Sequence, residues 1–445
     1  MTTHIVSPGE YMVTAARPVV LETCLGSCIG VVLHDPVARV GGMIHVLLPH
    51  GREDKEKDAP GRYARSALPL LLSEVLGLGA SRQRLVAAVA GGALILADRP
   101  LSMEMNIGRR NSEAVLQLLR EADIPVMKQE IGGFRGRTLR LDMATGDIHV
   151  SFIGELTQRD AVAIPERELT HSDLMSRIDK LKPLPDIARK IILRIEYSDS
   201  NMADIERDIL KDQALTANVL KLCNSPSHGF QHQIPTIRRA LVLIGLNTLK
   251  RIILSATVDT VYNRSIFGYS TRKGDLMKHS LSCALVAEFI AREKNIPEPD
   301  VAFTAGLLHD IGKVILDQYA FKKFNLIMDR VVNENMSFLD AEDRILGYNH
   351  AYVGGMVAEE WKLPPVLVEA IALHHRPQGY RVNAPMVSAV HLADSICSMF
   401  AEGGGTAGLS NGIHQFAVST LGLTRTDMER IVERLPDVMK ELEMV

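Results

Sequence analysis

Residues 23 to 50 read TCLGSCIGVVLHDPVARVGGMIHVLLPH. Two β-branched, apolar runs stand in this stretch, CIGVVLHD (28–35) and GGMIHVLLP (41–49). The short segment between them, PVARV, which opens on a proline, predicts two neighbouring strands. The same stretch holds two of the chain's five cysteines, Cys24 and Cys28, and His45 in the second run. Cys28 follows Gly26 and Ser27, a small-residue turn that lets a substrate approach a thiol and leaves backbone N–H groups nearby for an oxyanion. A histidine one strand later can be brought across by strand pairing, with Gly41 and Gly42 before it suited to a turn or bulge. A thiol at neutral pH is mostly protonated, and such a histidine can take its proton and later return it to a leaving group. The other reading of these residues is a buried thiol and a core histidine. Cys24 is the weaker nucleophile, since nothing small precedes it, and His34, in LHDP, reads as a surface residue at a turn.

Working outward, PVVLET, RLVAAVAGGA, IPVMKQEIGG and the two halves of RTLRLDMATGDIHVSFI also read as strands. RYARSALPLLLSEVLGLG and RRNSEAVLQLLREAD carry apolar residues at helical spacing. Residues 1–157 therefore read as an α/β domain. Residues 158–171 are polar, without period, and read as a linker. From 172 to 400 the repeating patterns, such as DIARKIILRIEY and LMKHSLSCALVAEFIAREKN, are all helical. Residues 401–445 add a Gly-rich loop and a final helix.

The 445-residue chain is 46% hydrophobic and 23% charged, with a formal net charge of -3 and one Trp. That balance does not suggest nucleic-acid binding. No apolar run approaches the roughly 20 residues that span a bilayer. The N-terminus lacks a secretory pattern, and few cysteines fit a reduced compartment, so the cytoplasm is the expected location.

The helical half gathers histidines and aspartates: Asp275 and His279 in GDLMKHS, His309 and Asp310 in GLLHDIGK, His350 in GYNHAYVGG, His374 and His375 in LHHRP, and Asp394 in HLADS. Asp275 and His279, four apart, share a helix face. Imidazoles and carboxylates together suit iron, manganese or zinc, and two such metals can clamp a phosphoryl group and activate water. The alternative is a set of buried histidines satisfying one another.

LGSCIGVVLHDPVARVGGMIHVLLP resembles the signature of CheD, the chemoreceptor glutamine deamidase. VAGGA (89–93), NIGRRNSEAVLQLL (106–119) and EIGGFRGRTLRLDMATGDIHV (130–150) resemble later CheD motifs in the same order. This resemblance, over residues 5–155, implies that Cys28 is the nucleophile and His45 the base, with no cofactor. It also implies an upstream threonine that orients the histidine, for which Thr23 is the candidate. Ser27 would help through its hydroxyl or backbone, and Arg109, Arg110 and Asn111 would shape the surrounding surface. Methyl-accepting chemotaxis receptors are the implied partners, and a CheC-type phosphatase or a response regulator is a further candidate.

HDIGK resembles the HD superfamily of metal-dependent phosphohydrolases. KLKPLPDIARKIILRI, DILKDQALTANVLKLCNSPSHGF and IPTIRRALVLIGLNTLKRIIL (180–254) narrow the resemblance to the HDOD domain, a bacterial signalling module. HDOD domains have commonly lost metal ligands, whereas this sequence keeps a nearly full set. RPQGYRVN lacks the GYP turn of cyclic-di-GMP phosphodiesterases. Lys313 would be the phosphate-facing lysine if hydrolysis occurs. The expectation is therefore a multidomain chain, an α/β CheD-like deamidase followed by an all-α HDOD domain that regulates it or binds signalling partners and holds a divalent metal pair. The alternatives are a phosphohydrolase of cyclic dinucleotides or nucleotides recruited to receptors by the CheD-like half, and an adaptor without activity.

Overall fold

A computed structural model describes residues 2–93, 106–133, 136–152, 169–181, 234–262, 264–269, 273–334, 336–399 and 412–442, with a few positions at 206–220 and 271. Most of the linker, the helices read between 182 and 233 and nearly all of the Gly-rich loop lie outside the described residues. The chain divides into two units. The first is 1–158 with 398–415 and Leu423–Pro436 from the C-terminal tail; the second is 159–397 with 416–422 and 437–445.

The first unit is built on two sheets. One has four strands in the order β1 (Thr2–Ile5), β3 (Val19–Leu25), β8 (Arg137–Asp142) and β9 (Ile148–Phe152). The other has five: β2 (Tyr11–Thr14), β5 (Val40–Val46), β4 (Ile29–Asp35), β6 (Val86–Gly91) and β7 (Val126–Ile131). Every residue of β4 and β5 is buried. Such apolar runs mark strands covered on both faces. On one face Ile29, Val31 and Leu33 of β4 and Ile44 and Val46 of β5 join a core with α2 (Ala64–Gly77) and α3 (Ile107–Glu121). Leu71, Val75, Val115 and Leu119 supply the helical side of it. Successive strand side chains alternate, so Gly30, Val32, His34, Met43 and His45 face the other way, toward β3 and β8. A short helix, α1 (Glu53–Asp58), precedes α2.

Two expectations change here. Gly41 and Gly42 sit inside β5, in unbroken register with Leu33 and His34 of β4, rather than in a turn or bulge. His34 is buried, because β4 runs on to Asp35 and both its faces are covered. The turn starts only at Asp35, whose Oδ1 accepts from the N–H groups of Val37 and Ala38 at 2.9 and 3.0 Å.

The second unit is helical. Its described helices are α4 (His171–Ile178), α5 (Ile237–Tyr262), α6 (Asp275–Glu293), α7 (Pro299–Leu308), α8 (Ile311–Asn333), α9 (Phe338–Leu346), α10 (His350–Glu360), α11 (Pro365–Leu373), α12 (Ala384–Met399) and α13 (Gln415–Thr420). A last helix, α14 (Arg425–Leu442), follows. No helix among the described residues is long and apolar enough to cross a membrane.

Candidate active site and candidate metal centre

The thiol site lies between the two sheets. Gly30 of β4 pairs with His45 of β5. Cys28 stands immediately before β4, two residues ahead of Gly30, in the turn that Gly26 and Ser27 open. Thr23 reaches His45 from β3 in the facing sheet: its Oγ1 is 2.8 Å from His45 Nδ1. The Thr23 hydroxyl donates to the Val6 carbonyl at 2.7 Å, so it accepts from Nδ1–H. That assigns the tautomer and leaves Nε2 as a lone pair. Nε2 is buried and makes no hydrogen bond. Burial holds His45 down at about 4 and raises the Cys28 thiol well above its usual range. The resting pair is neutral imidazole and neutral thiol.

The turn before Cys28 is clamped by its carbonyls. Gly26 O accepts from Ala93 N and Cys28 O from Gly92 N, both at 2.8 Å. Ser27 O accepts from Asn111 Nδ2 at 3.3 Å, and the same amide donates to Leu47 O at 2.8 Å. Gly91 is needed at its place: its φ is +112°, and a Cβ there would stand 2.1 Å from Cys28 O. Because a trans peptide sets N–H opposite C=O, the N–H groups of Ser27 and Cys28 point away from the clamp. Cys24 is half-buried with its thiol 3.7 Å from Thr138 Oγ1 on β8. Arg109 makes an exposed pair with Glu113 at 2.7 Å, while Arg110 pairs with Glu429 of α14 at 2.8 Å. The sequence reading left Asn111 as a surface residue; the structure buries it, holding the cysteine turn to the end of β5.

The metal-type cluster lies in the second unit. His309 and Asp310 occupy the break between α7 and α8. Gly312 permits the close approach of α10, since a Cβ there would stand 1.9 Å from His350 O. Three sets of ligand atoms converge: His279, Cys283, His309 and Asp394; His309, Asp310 and His374; and His350, His374 and His375. Asp310 joins them, with Oδ2 3.4 Å from His309 Nε2 and 3.6 Å from His279 Nε2, and Oδ1 3.6 Å from His350 Nε2. Asp394 Oδ1 lies 3.2 Å from His279 Nε2, and its Oδ2 lies 3.6 Å from His375 Nδ1.

The outward ring nitrogens are tied down. His309 Nδ1 donates to Gly306 O and His374 Nδ1 to Ile371 O, each at 2.7 Å. These are last-turn carbonyls that a helix leaves without an internal partner. His350 Nδ1 bonds Glu342, which also accepts from the Tyr269 hydroxyl. Fixing Nδ1 turns each Nε2 inward, the usual outer support of a metal ligand, and His350 Nε2 lies 2.9 Å from His375 Nε2. His309 Nε2, His374 Nε2, His375 Nδ1 and Asp310 Oδ1 are all buried without a hydrogen bond. Burial alone would raise Asp310, but His309 and Lys313 hold its carboxyl well below the usual range. Against burial, Asp310 and Asp394 push His309 up to about 10. Converging imidazole and carboxylate groups, with buried ligand atoms that lack a hydrogen bond among the described residues, fit ligation of a divalent metal.

Asp275, at the first position of α6, is not among the converging ligand atoms. Cys283 and Glu342 were missed by the sequence reading. Cys283 stands one turn after His279, with Sγ 3.6 Å from its Nε2. Lys313 Nζ bonds Asp310 at 2.6 Å. A cleft of about 370 Å³ is lined by His375 and Arg376 among others.

Comparison with known proteins agrees with both halves. The family model described as CheD chemotactic sensory transduction matches residues 47–152, and the HDOD domain model matches 181–377. A Desulforamulus reducens protein named "Probable chemoreceptor glutamine deamidase CheD" is 38% identical over 145 residues, 33% of this chain and 87% of the relative. A Bordetella bronchiseptica protein of the same name is 36% identical over 194 residues, 43% of this chain and 84% of the relative. A crystal structure of an HDOD domain protein from Geobacter sulfurreducens is 26% identical, covers 60% of this chain and 96% of its own, and has a TM-score of 0.47.

Proposed function

Since this chain belongs to the CheD family through its N-terminal third and carries an HDOD domain behind it, we propose that its first unit is a protein-glutamine deamidase acting on chemoreceptors in the cytoplasm. The observation that supports the reading is the buried His45 Nε2, its ring fixed by Thr23, on a strand paired with the one that follows Cys28. His45 Nε2 takes the Cys28 proton as Sγ attacks the side-chain carbonyl carbon of a receptor glutamine. The Ser27 and Cys28 N–H groups receive the oxyanion. The intermediate collapses with breakage of the C–N bond, and His45 returns its proton to the departing ammonia. A thioester on Cys28 is left. Water attacks it, His45 taking one proton, and releases glutamate and the thiol. No cofactor enters. Incubation of receptor fragments with wild type should add about one dalton at specific glutamines, as amide becomes acid, and Cys28→Ala should add none. Wild-type turnover by Cys28→Ala would refute the assignment.

For the helical unit we propose a metal-holding regulatory domain. His279, His309, Asp310 and Asp394 would hold one ion, and His350, His374 and His375 with Asp310 the other. Iron, manganese and zinc all suit the donor set. The bound pair would supply Lewis acidity and an acidified water. Elemental analysis of protein purified without chelator tests it, and absence of metal would refute it. The cleft beside His375 favours a second reading, in which a phosphoryl compound binds there and is hydrolysed; release of product from a cyclic dinucleotide by metal-loaded protein would establish that reading.

A further inference from the structure

The last helix of the chain groups with the first unit as far as Pro436. Its buried residues Met428, Ile431, Val432 and Leu435 form a stripe at helical spacing. Beside that stripe Glu429 and Glu433 stand one turn apart. Arg110 Nη1 holds Glu429 at 2.8 Å, and the Tyr63 hydroxyl donates to Glu433 Oε1 at 3.0 Å. Arg62 Nη1 donates to the Glu433 carbonyl at 3.1 Å.

These three clamp residues border the thiol site. Arg110 precedes Asn111, whose amide holds Ser27 and Leu47. The carbonyl of Arg62 accepts from the N–H groups of Leu47 and Leu48, just past His45, at 3.0 and 3.1 Å. Arg and Tyr donors aimed at side-chain oxygens one helical turn apart bind a carboxylate or an amide oxygen equally well in geometry. Glutamine and glutamate on a helix are the substrate and product of the proposed reaction.

We propose that Arg62, Tyr63 and Arg110 form the seat for a receptor helix, and that the chain's own C-terminal helix occupies it as a competitor. The expected partner is an amphipathic helix with glutamine or glutamate at four-residue spacing beside an apolar stripe. This rests on the deamidase reading for the identity of the partner.

The test uses the full chain with Glu429→Lys and Glu433→Lys together, which leaves Arg62, Tyr63, Arg110 and the thiol site intact. Hydrogen–deuterium exchange reports release of residues 425–436. Fluorescence anisotropy measures binding of a labelled receptor helix that contains the target glutamines, and mass spectrometry follows its deamidation. The double variant should exchange faster in that segment and bind the helix on the order of tenfold more tightly, with a matching gain in rate at sub-saturating receptor. Faster exchange with unchanged binding would overturn the seat, and unchanged exchange would overturn the claim that the two carboxylates hold the helix there. Tighter binding without a mass change in either protein would keep the seat and sink the deamidase. Wild-type deamidation with no tighter binding by the released variant would do the reverse.

Discussion

The thiol site and the histidine–aspartate cluster are both buried, both centred on histidine, and electrostatically opposite. In the first, no charged partner among the described residues shifts the reactive groups. Burial therefore drives both to neutrality, raising Cys28 and holding His45 at about 4. In the second, carboxylates and imidazoles face each other. Burial still opposes charge, yet Asp310 and Asp394 stay well below the carboxylate range and His309 rises to about 10. Under the proposed reading, the same residue type, buried to a similar degree, would serve as a base in one site and as a ligand in the other, according to what stands opposite it.

The largest expected effect separates the two sites. Cys28→Ala should lower deamidation by at least about a thousandfold while the metal content of the protein is unchanged. Asp310→Asn should do the converse: elemental analysis should show loss of metal, and the chelator-induced drop in melting temperature, several degrees in wild type, should vanish. Deamidation that tracked metal content would break the comparison. A smaller effect is expected one bond further out. Thr23→Val leaves Nδ1 without its acceptor and should cost about ten- to a hundredfold in kcat, with Thr23→Ser restoring most of it. A purely structural role would not be rescued selectively in kcat.

A further effect is in pH. The His45 pKa falls from 6.5 to about 4 on folding. The unfolded chain takes up the proton below pH 6.5 and the folded chain does not, so the stability from the neutral ring is complete above 6.5. It is lost as pH falls through that window toward 4, by about 3 kcal/mol in total. Over the same window the base stays deprotonated, and kcat/KM should lack the acid limb near 6.5 that an ordinary histidine gives. Such a limb would place His45 in a wetter, more charged setting.

The strands β4 and β5 were legible because long β-branched runs are a local signal, and their pairing follows from one short turn. The four-residue strands β1 and β2 were not, since TTHI and YMVT carry too little pattern to outweigh a loop. Cys28 and His45 stood out through their motif. The contact of Thr23 with His45 depends on one sheet lying over another, which no local period encodes. Asp275 shares a helix face with His279, but a face is not a site, and one turn carries it out of the cluster. Glu342 and Asn111 act by holding a ligand or a turn from a distant element. Glu429 and Glu433 look like ordinary surface charges until the tail is seen to group with the first unit.

The most direct test is capture of the proposed thioester. Receptor fragments incubated with wild-type protein and hydroxylamine should carry hydroxamate in place of the amide at the target glutamines, and Cys28→Ala should yield none. Glutamate without hydroxamate from wild type, or hydroxamate from Cys28→Ala, would contradict covalent catalysis by Cys28.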